Sequence, residues 1–569
     1  MLRSRFAPIV GAGLLAAGLL VGTQVQDAVS GSEEVEQLRK IEEAYEYVTR
    51  AYVEQVDSSE LAEAAIEGML ASLDPHSIYI SSDEMRRVRE SFEASFDGIG
   101  IFYEFVEGRE DVDTLVVLQP IVGGPSEEVG LEAGDRIIEI DGENAIGIDP
   151  EDVPLKLKGR RGTTVEVTVE RPGFRDPLSF SIVRDRIPLN TVAASYMVDD
   201  QTGLIKLTRF ARTSHEEVTT AIRELRAQGM ERLILDLRQN AGGLLDQAYA
   251  ISDEFLEAGE MIVYTESRHS ANERQYRATS GGIYEDDPVI VLIDENSASA
   301  SEIVAGALQD HDRGYLIGRR SFGKGLVQQQ FPMTDGSVLQ MTVSRYFTPS
   351  GRLIQTPYEV GQDDEAYYEA KRDIREAVED RLAPDGGAVN ASAFGSEVPD
   401  SLVFQTDGGR VVYGGGGILP DYIVQPDSLS PALRTIIRSA SGKRFDDMFA
   451  RTEIERRGTA FREEWEGRER EFVQDFRLTD ADFDRLLSYV ASEGTPVVAL
   501  RPSADGDEVL VRSEAFEARA DIEARVRAFI ARRLFGANAW FPVVGEIDPA
   551  IQEAMRHWSD AITLAQASN

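Results

Sequence analysis

The stretch Asp294–Gln328, DENSASASEIVAGALQDHDRGYLIGRRSFGKGLVQ, decides how the rest of the chain is read. It follows an apolar run, Val289-Ile290-Val291-Leu292-Ile293, with the length and β-branched content of a buried strand. The run ends in a small-residue turn, Asn296-Ser297-Ala298-Ser299-Ala300-Ser301. A helix pattern follows, with Ile303, Val304, Ala307 and Leu308 on one face. Serines at a strand-to-helix turn are ordinary caps, because their hydroxyls accept from the orphan N–H groups of the first turn. The turn alone therefore assigns no chemistry to Ser297, Ser299 or Ser301. Lys324 changes the weighing. It stands between Gly323 and Gly325, which have no side chains to prevent close backbone approach. Lysine is also scarce: of 59 basic residues only seven are lysines, at positions 40, 156, 158, 206, 324, 371 and 443.

SASASEIVAGALQD followed by SFGKGLVQ resembles the active-site region of the carboxyl-terminal processing proteases, PDZ-containing serine peptidases of family S41 with a Ser–Lys catalytic pair. The resemblance covers about residues 35–355. In that family the nucleophile stands twenty-five residues before the lysine, which selects Ser299 over Ser297 and Ser301. An assisting glutamine stands four residues after the lysine, which selects Gln328. Leu233-Ile234-Leu235-Asp236-Leu237, leading through Arg238-Gln239-Asn240-Ala241-Gly242-Gly243 into a helix around 244–256, is similar to the family's LDLRxNxGG segment. One of that segment's glycines offers an N–H to the oxyanion hole, and here Gly242 and Gly243 share the assignment, with Ala300 as the second donor. Tyr346 to Arg352 resembles the family's YxTPxGR segment. The pattern then departs: Gly417-Ile418-Leu419-Pro420-Asp421, the counterpart of a family segment that soon follows, arrives some sixty residues later, after an insert near 356–413 read as a surface excursion.

Composition removes whole classes of function. At 569 residues more than one domain is expected. A net charge of −41 argues against a nucleic-acid partner, since phosphate binding needs a cationic surface. The chain has no cysteine, which excludes a thiol nucleophile, a thiolate zinc site and disulfides. Its five histidines form no H-E-x-x-H pair, and no G-x-S-x-G elbow is present. No metal or cofactor is expected.

Taken in order, Arg3 and Arg5 precede an uncharged stretch from Phe6 to Gln26, long enough for a membrane span or a signal peptide. An uncleaved anchor is the preferred reading, with the body on the periplasmic side of the envelope. Residues 31–95 read as a helical cap. Val35, Leu38, Ile41, Tyr45, Val48 and Tyr52 form a stripe that suits either packing on its own domain or a seam with a second copy. His76, in Leu73-Asp74-Pro75-His76-Ser77, reads as a turn residue of that cap. Residues 96–185 resemble a PDZ domain: Gly98-Ile99-Gly100-Ile101 matches the loop that receives a peptide's terminal carboxylate, the next strand offers an edge for β-augmentation, and Val165, Val167 and Val169 alternate with polar residues. Within Lys158-Gly159-Arg160-Arg161-Gly162, Lys158 is the closest match to the family's basic contact between PDZ and protease domains, with Arg160 as the alternative. Residues 186–426 read as the peptidase core, and 427–569 as a mostly helical extension opened at one point by the cap Thr479, with Phe483, Leu486, Leu487 and Val490 behind it.

The expected fold is therefore α+β and multidomain: helical cap, PDZ domain, crotonase-like mixed α/β core and helical extension. The expected function is a serine endopeptidase acting near the C-termini of envelope proteins, as a homo-oligomer or with an unidentified adaptor. A PDZ adaptor that has lost catalysis is the alternative. A lysine serves as the base only when neutral, and lowering its pKa from about 10.4 to 7–8 is a shift of ~3 units, on the order of 4 kcal/mol. A nearby carboxylate would oppose that shift, so Glu302 is expected to point away from the amine.

Overall fold

The computed structural model describes residues 33–107, 113–121, 123–359, 361–362, 365–369, 371–372, 386–389, 399–425, 429–440, 442–500 and 508–568. The anchor expected over residues 1–26 lies outside them, and no described helix is long and apolar enough to cross a membrane.

The cap comprises α1 (Glu33–Ala51), α2 (Ser58–Leu70), β1 (Ile78–Ile80) and α3 (Ser82–Glu93). The apolar stripe of α1 is exposed, Leu38 by 65% and Ile41 by 49%, so it does not pack on its own domain. Helix α3 starts at a capping box: Ser81 Oγ accepts from Glu84 N while Glu84 accepts from Ser81 N. Strand β2 (Ser95–Gly98) then leads into a PDZ sheet of β3 (Ile101–Glu107), β4 (Asp113–Pro120), β5 (Arg136–Ile140), β6 (Thr164–Glu170) and β7 (Leu178–Val183), in the order β3-β4-β5-β6-β7, with helix α4 (Asp152–Leu157) beside it. The alternation at Val165, Val167 and Val169 resolves into three fully buried side chains. Strand β8 (Asp185–Pro188) returns to pair with β2.

The core has two sheets. One follows the order β9 (Val192–Met197), β10 (Thr202–Leu207), β11 (Arg232–Asp236), β14 (Val289–Ile293), β15 (Gly314–Gly318), β19 (Tyr422–Ile423), β18 (Gly387–Ala388), and is parallel from β10 to β19. Helix α5 (Ser214–Ala227) connects β10 to β11 and α6 (Leu245–Asp253) follows β11. The second sheet contains β12 (Met261–Glu266), β13 (Arg274–Arg277), β16 (Leu326–Pro332) and β17 (Val338–Phe347), with β17 central and cap strand β1 on it. The all-apolar β14 is central because parallel strands covered on both faces need no polar side.

Helix α7 (Ala300–Asp310) lies between the sheets, against β15 of one and β12 of the other, and all eleven of its residues are buried. The expected one-faced stripe is thus only part of its packing. Ile303, Val304 and Leu308 contribute about 1.5–3 kcal/mol each by burial. The remaining positions are small or carry bonded polar groups, such as Gln309, which donates to Leu419 O at 2.8 Å.

The extension has its own core around α8 (Phe445–Trp465), α9 (Asp480–Ser492) and α10 (Arg519–Phe535). Thr479 caps α9, and Phe483, Leu486, Leu487 and Val490 are buried behind it. It also braces both other parts. Arg533 pairs with Glu104 of PDZ strand β3. Ile551 of α11 (Pro549–Arg556) and Trp558 of α12 (Trp558–Ser568) cover Ile234, Ile290, Leu292 and Ile317 on the outer face of the seven-stranded sheet.

Candidate active site

Strand β14 delivers the chain to Ser299, which immediately precedes α7 with φ +53° and ψ −111°. A non-glycine residue in that region is strained by about 1–3 kcal/mol and persists only when its surroundings hold it. Two buried side chains do so. The Glu302 carboxylate accepts from Ser299 N at 2.8 Å, Lys324 N at 2.9 Å, Gly323 N at 2.6 Å and Ser321 Oγ at 2.5 Å. On the carbonyl side, the Tyr346 hydroxyl faces Lys324 O at 2.6 Å and Ser299 O at 3.1 Å. The serine turn and the glycine-flanked lysine loop are therefore stapled to each other through their backbones. Glu302 does not point away from Lys324, as the sequence reading expected. Its carboxyl grips the lysine's own backbone, because four donors converge there and a buried carboxylate must satisfy its lone pairs.

Ser299, Ala300, Gly243 and Gln328 line one cleft of about 690 Å³. Its far wall is cap helix α3, through Met85, Arg89 and Phe92. Among the described residues, the N–H groups of Ala300 and Gly243 have no acceptor. The two glycines are not equivalent. Gly242 is buried, donates its N–H to Asn240 Oδ1 at 2.9 Å, and leaves no room for a side chain beside Ser299. Gly243 is exposed, with φ +144°, and its Cα packs against the Phe210 carbonyl so closely that a Cβ would lie 2.1 Å from the oxygen. Phe210 takes Gly242 O and Leu244 N, which leaves the Gly243 N–H facing away from that bridge. Gly243→Ala keeps the N–H, but its Cβ would collide with the Phe210 carbonyl and displace the backbone; if that N–H serves a developing oxyanion, kcat is expected to fall by about 10²–10³-fold. Chymotrypsin-style burst kinetics on an activated ester would check this, with wild-type acylation as the contrary result.

Lys324 is half-buried and is not part of the cleft wall. Burial lowers its amine below the ordinary lysine range, against the opposing charges of Glu302 and Asp74. Among the described residues no hydrogen bond links Ser299, Lys324 and Gln328 side chains, and Gln328 Nε2 is buried without a partner at a bulge in β16. The structure thus brings Ser299, Ala300, Gly243 and Gln328 to one cleft, and joins Lys324 to them only through backbone.

In the PDZ domain, Ile99 O accepts from Ser126 N and Oγ, and Gly100 O from Ile121 N. The N–H groups of Ile99 and Gly100 have no acceptor among the described residues, and β3 stands at the sheet edge. Lys158 meets Glu90 of cap helix α3 at 2.6 Å, over the Phe96 ring, so its contact is with the cap instead of the protease domain. Most described residues of the insert are exposed, but it is tied to the core at points: Tyr367 is 1% exposed, and Arg410 pairs with Asp312 and Asp421. At the far end of α7, Glu260, His311 and Asp407 bring three ligand atoms within 4.8 Å of one another. Burial alone would lower His311, but the Met261 carbonyl and the two carboxylates hold its imidazole above its usual range, which suits an ion pair better than a metal ligand.

Sequence reading missed the staple residues Glu302 and Tyr346 as such. Tyr346 heads the YxTPxGR segment and Glu302 the first turn of α7, so both stood within recognised motifs.

The profile of Peptidase family S41 matches residues 201–365, that of the PDZ domain residues 116–171, and that of the activating protease CtpB N-terminal domain residues 19–84. A carboxy-terminal-processing protease of Bartonella bacilliformis is 38% identical over 345 residues, covering 60% of this chain and 78% of its own. The carboxy-terminal processing protease CtpB of Bacillus subtilis is 37% identical, covering 58% and 67%. A solved photosystem II D1 C-terminal processing protease aligns with 55% of this chain and 89% of its own, at 31% identity and a TM-score of 0.31.

Proposed function

The chain belongs to the carboxy-terminal processing proteases of peptidase family S41 and is a serine-type peptidase, and from that premise we propose a Ser299–Lys324 mechanism acting on protein substrates near their C-termini. One observation carries the reading: a half-buried serine, strained at the start of a buried helix, lines a cleft beside two N–H groups that have no acceptor among the described residues. The neutral Lys324 amine takes the proton from Ser299 Oγ as that oxygen attacks the scissile carbonyl carbon. The resulting oxyanion sits against Ala300 N–H and Gly243 N–H, near the positive end of the α7 dipole. As the C–N bond breaks, the ammonium returns its proton to the leaving amine. Water, deprotonated by Lys324, then attacks the ester carbonyl; as the bond to Ser299 Oγ breaks, the ammonium returns the proton to that oxygen and the new carboxyl terminus is released. Gln328, which lines the cleft and whose Nε2 has no partner among the described residues, orients the amine once the side chains engage.

Because Ser299 and Lys324 are joined through backbone without a side-chain bond, this conformation is a resting one. The PDZ domain controls the change through Lys158. Ile99 shares one buried cluster with Val153 and Leu157 of α4, so peptide binding at Ile99–Gly100 would act on that helix, whose last residue precedes Lys158, and Lys158 holds Glu90 on the helix that walls the cleft. The pair is partly exposed and contributes about 0.2–1 kcal/mol. Lys158→Ala is therefore expected to leave the melting temperature unchanged while altering cleavage of a folded, C-terminally tailed substrate more than cleavage of casein. Equal effects on both substrates would remove the PDZ from control.

The overall reading is tested by incubating purified protein with unfolded casein and a tailed peptide. Cleavage that disappears in Ser299→Ala supports it. Binding of the tail without cleavage of either substrate would favour an adaptor.

A further inference from the structure

The cap turn at Asp74–Ser77 is stitched into the peptidase core more tightly than a covering element requires. Strand β1 pairs with β17 at Ile78–Gln340, Tyr79–Leu339 and Ile80–Val338. Immediately before it, Asp74 Oδ1 accepts from Thr342 Oγ1 at 3.0 Å and from His76 N at 3.0 Å, Asp74 Oδ2 accepts from Ser77 Oγ at 2.7 Å, and Ser77 Oγ accepts from Thr342 N at 3.1 Å. Thr342 is the register partner of Gln328. This lattice delivers His76 into the core, where it is 7% exposed. Its ring stands edge-on to Tyr367 at 5.8 Å and 6.5 Å from Phe322, two residues before Lys324. Its Nε2 is buried and, among the described residues, has no hydrogen-bond partner. An unsatisfied buried imidazole nitrogen is a cost that native structures rarely carry without a use.

We propose that His76 is a positioning residue for Lys324: the cap inserts an uncharged imidazole into the wall around the lysine, keeps water from the amine, and so holds it in the neutral form that catalysis needs. The proposal rests on the reading of Lys324 as the base. The groups facing this pocket come from several elements. Glu302 of α7 and Tyr346 of β17 contact the Lys324 backbone, Tyr367 of the insert packs against His76, and Asp74 of the cap and Lys371 of the insert act on the pair by charge. The carboxylates of Glu302 and Asp74 favour the ammonium, whereas burial disfavours it. Burial and the charges of Lys324 and Lys371 bring His76 itself down to about 4, overriding Asp74, so it remains neutral throughout the working range. His76 thus acts by exclusion and shape, and Asp74, which pins the turn, opposes it by charge.

The two residues therefore predict opposite shifts. In the full chain, kcat/KM for a casein-derived fluorogenic peptide should rise with pH through an acid limb set by Lys324. His76→Ala admits water, raises the lysine pKa, and should move that limb up by about one unit. His76→Phe restores an uncharged ring and should return the limb to within a few tenths of wild type. Asp74→Asn removes a charge that favours the ammonium and should move it down. A merely structural role for the turn would lower activity without this pattern of signs. Because the chain has only seven lysines, ¹³Cε-lysine NMR of Ser299→Ala in the same three backgrounds reads the Lys324 pKa without needing activity. An unmoved Lys324 resonance titration in folded His76→Ala, or Asp74→Asn shifting the same way as His76→Ala, would overturn the role of His76. Activity in Lys324→Arg would instead overturn the base assignment, so the two failures are distinguishable.

Discussion

Lys324→Arg is expected to abolish proteolysis, with a loss of at least about 10³-fold in kcat/KM, although it is also a long basic side chain. A guanidinium does not deprotonate near neutral pH, so it has no means of accepting the Ser299 proton. Ser299→Ala removes the nucleophile and should be equally inactive. The double variant should be no worse than either single one, because groups acting as a unit lose their function together. The backbone of residue 324 carries its own contacts to Glu302 and Tyr346, independent of the side chain, so both substitutions should leave the fold intact. Casein cleavage alongside circular dichroism and melting temperature checks this. Wild-type cleavage by Lys324→Arg would remove the Ser–Lys mechanism and return attention to the histidines.

Removing the Glu302 carboxylate should be the most damaging change outside the pair itself. Glu302→Ala leaves the buried Gly323 N–H and Ser321 hydroxyl and the half-buried N–H groups of Ser299 and Lys324 without their acceptor. At about 1–3 kcal/mol for each donor left unsatisfied, a loss of at least ~3 kcal/mol is expected even if water fills part of the gap. The melting temperature should fall, and activity should fall with it, because Ser299 loses one of the two contacts that hold its strained backbone. Glu302→Gln keeps one oxygen. Oε1 serves Gly323 and Ser321 while Oε2 serves Ser299 and Lys324, so the amide satisfies one pair and presents its own hydrogens to the other. An intermediate loss is expected. Thermal unfolding and casein cleavage measured together test the argument, and Glu302→Ala with wild-type stability and rate would refute it.

Local sequence was enough where neighbours along the chain supply the physics. The shortness and β-branched content of the apolar run at 289–293 favoured a strand buried on both faces, and the alternation at 165, 167 and 169 a strand with one buried side. Thr479 and the apolar positions behind it determined α9 in the same way. The small residues of Ser297–Ser301 marked the turn that carries Ser299, and the rarity of lysine drew attention to Lys324. Those are properties of spacing and side-chain type, and they are complete within a dozen residues.

Tertiary structure alone decided what surrounds those residues. Glu302 does not follow from local sequence, because three of the four donors that claim its carboxylate come from residues 321–324 across a β-strand, and only Ser299 N comes from its own turn. Gly242 and Gly243 were indistinguishable by position; the Asn240 side chain and the Phe210 carbonyl separate them. The stripe on α1 and the burial of all of α7 depend on what packs against each helix, which periodicity does not encode. Most of all, the environment of Lys324 is assembled from Asp74 and His76, some 250 residues before it, and from Tyr367 in an insert after it. The charge state of a buried amine depends on solvent exclusion and on every charge within a few ångströms, and both are set by which distant segments the strand pairing brings there.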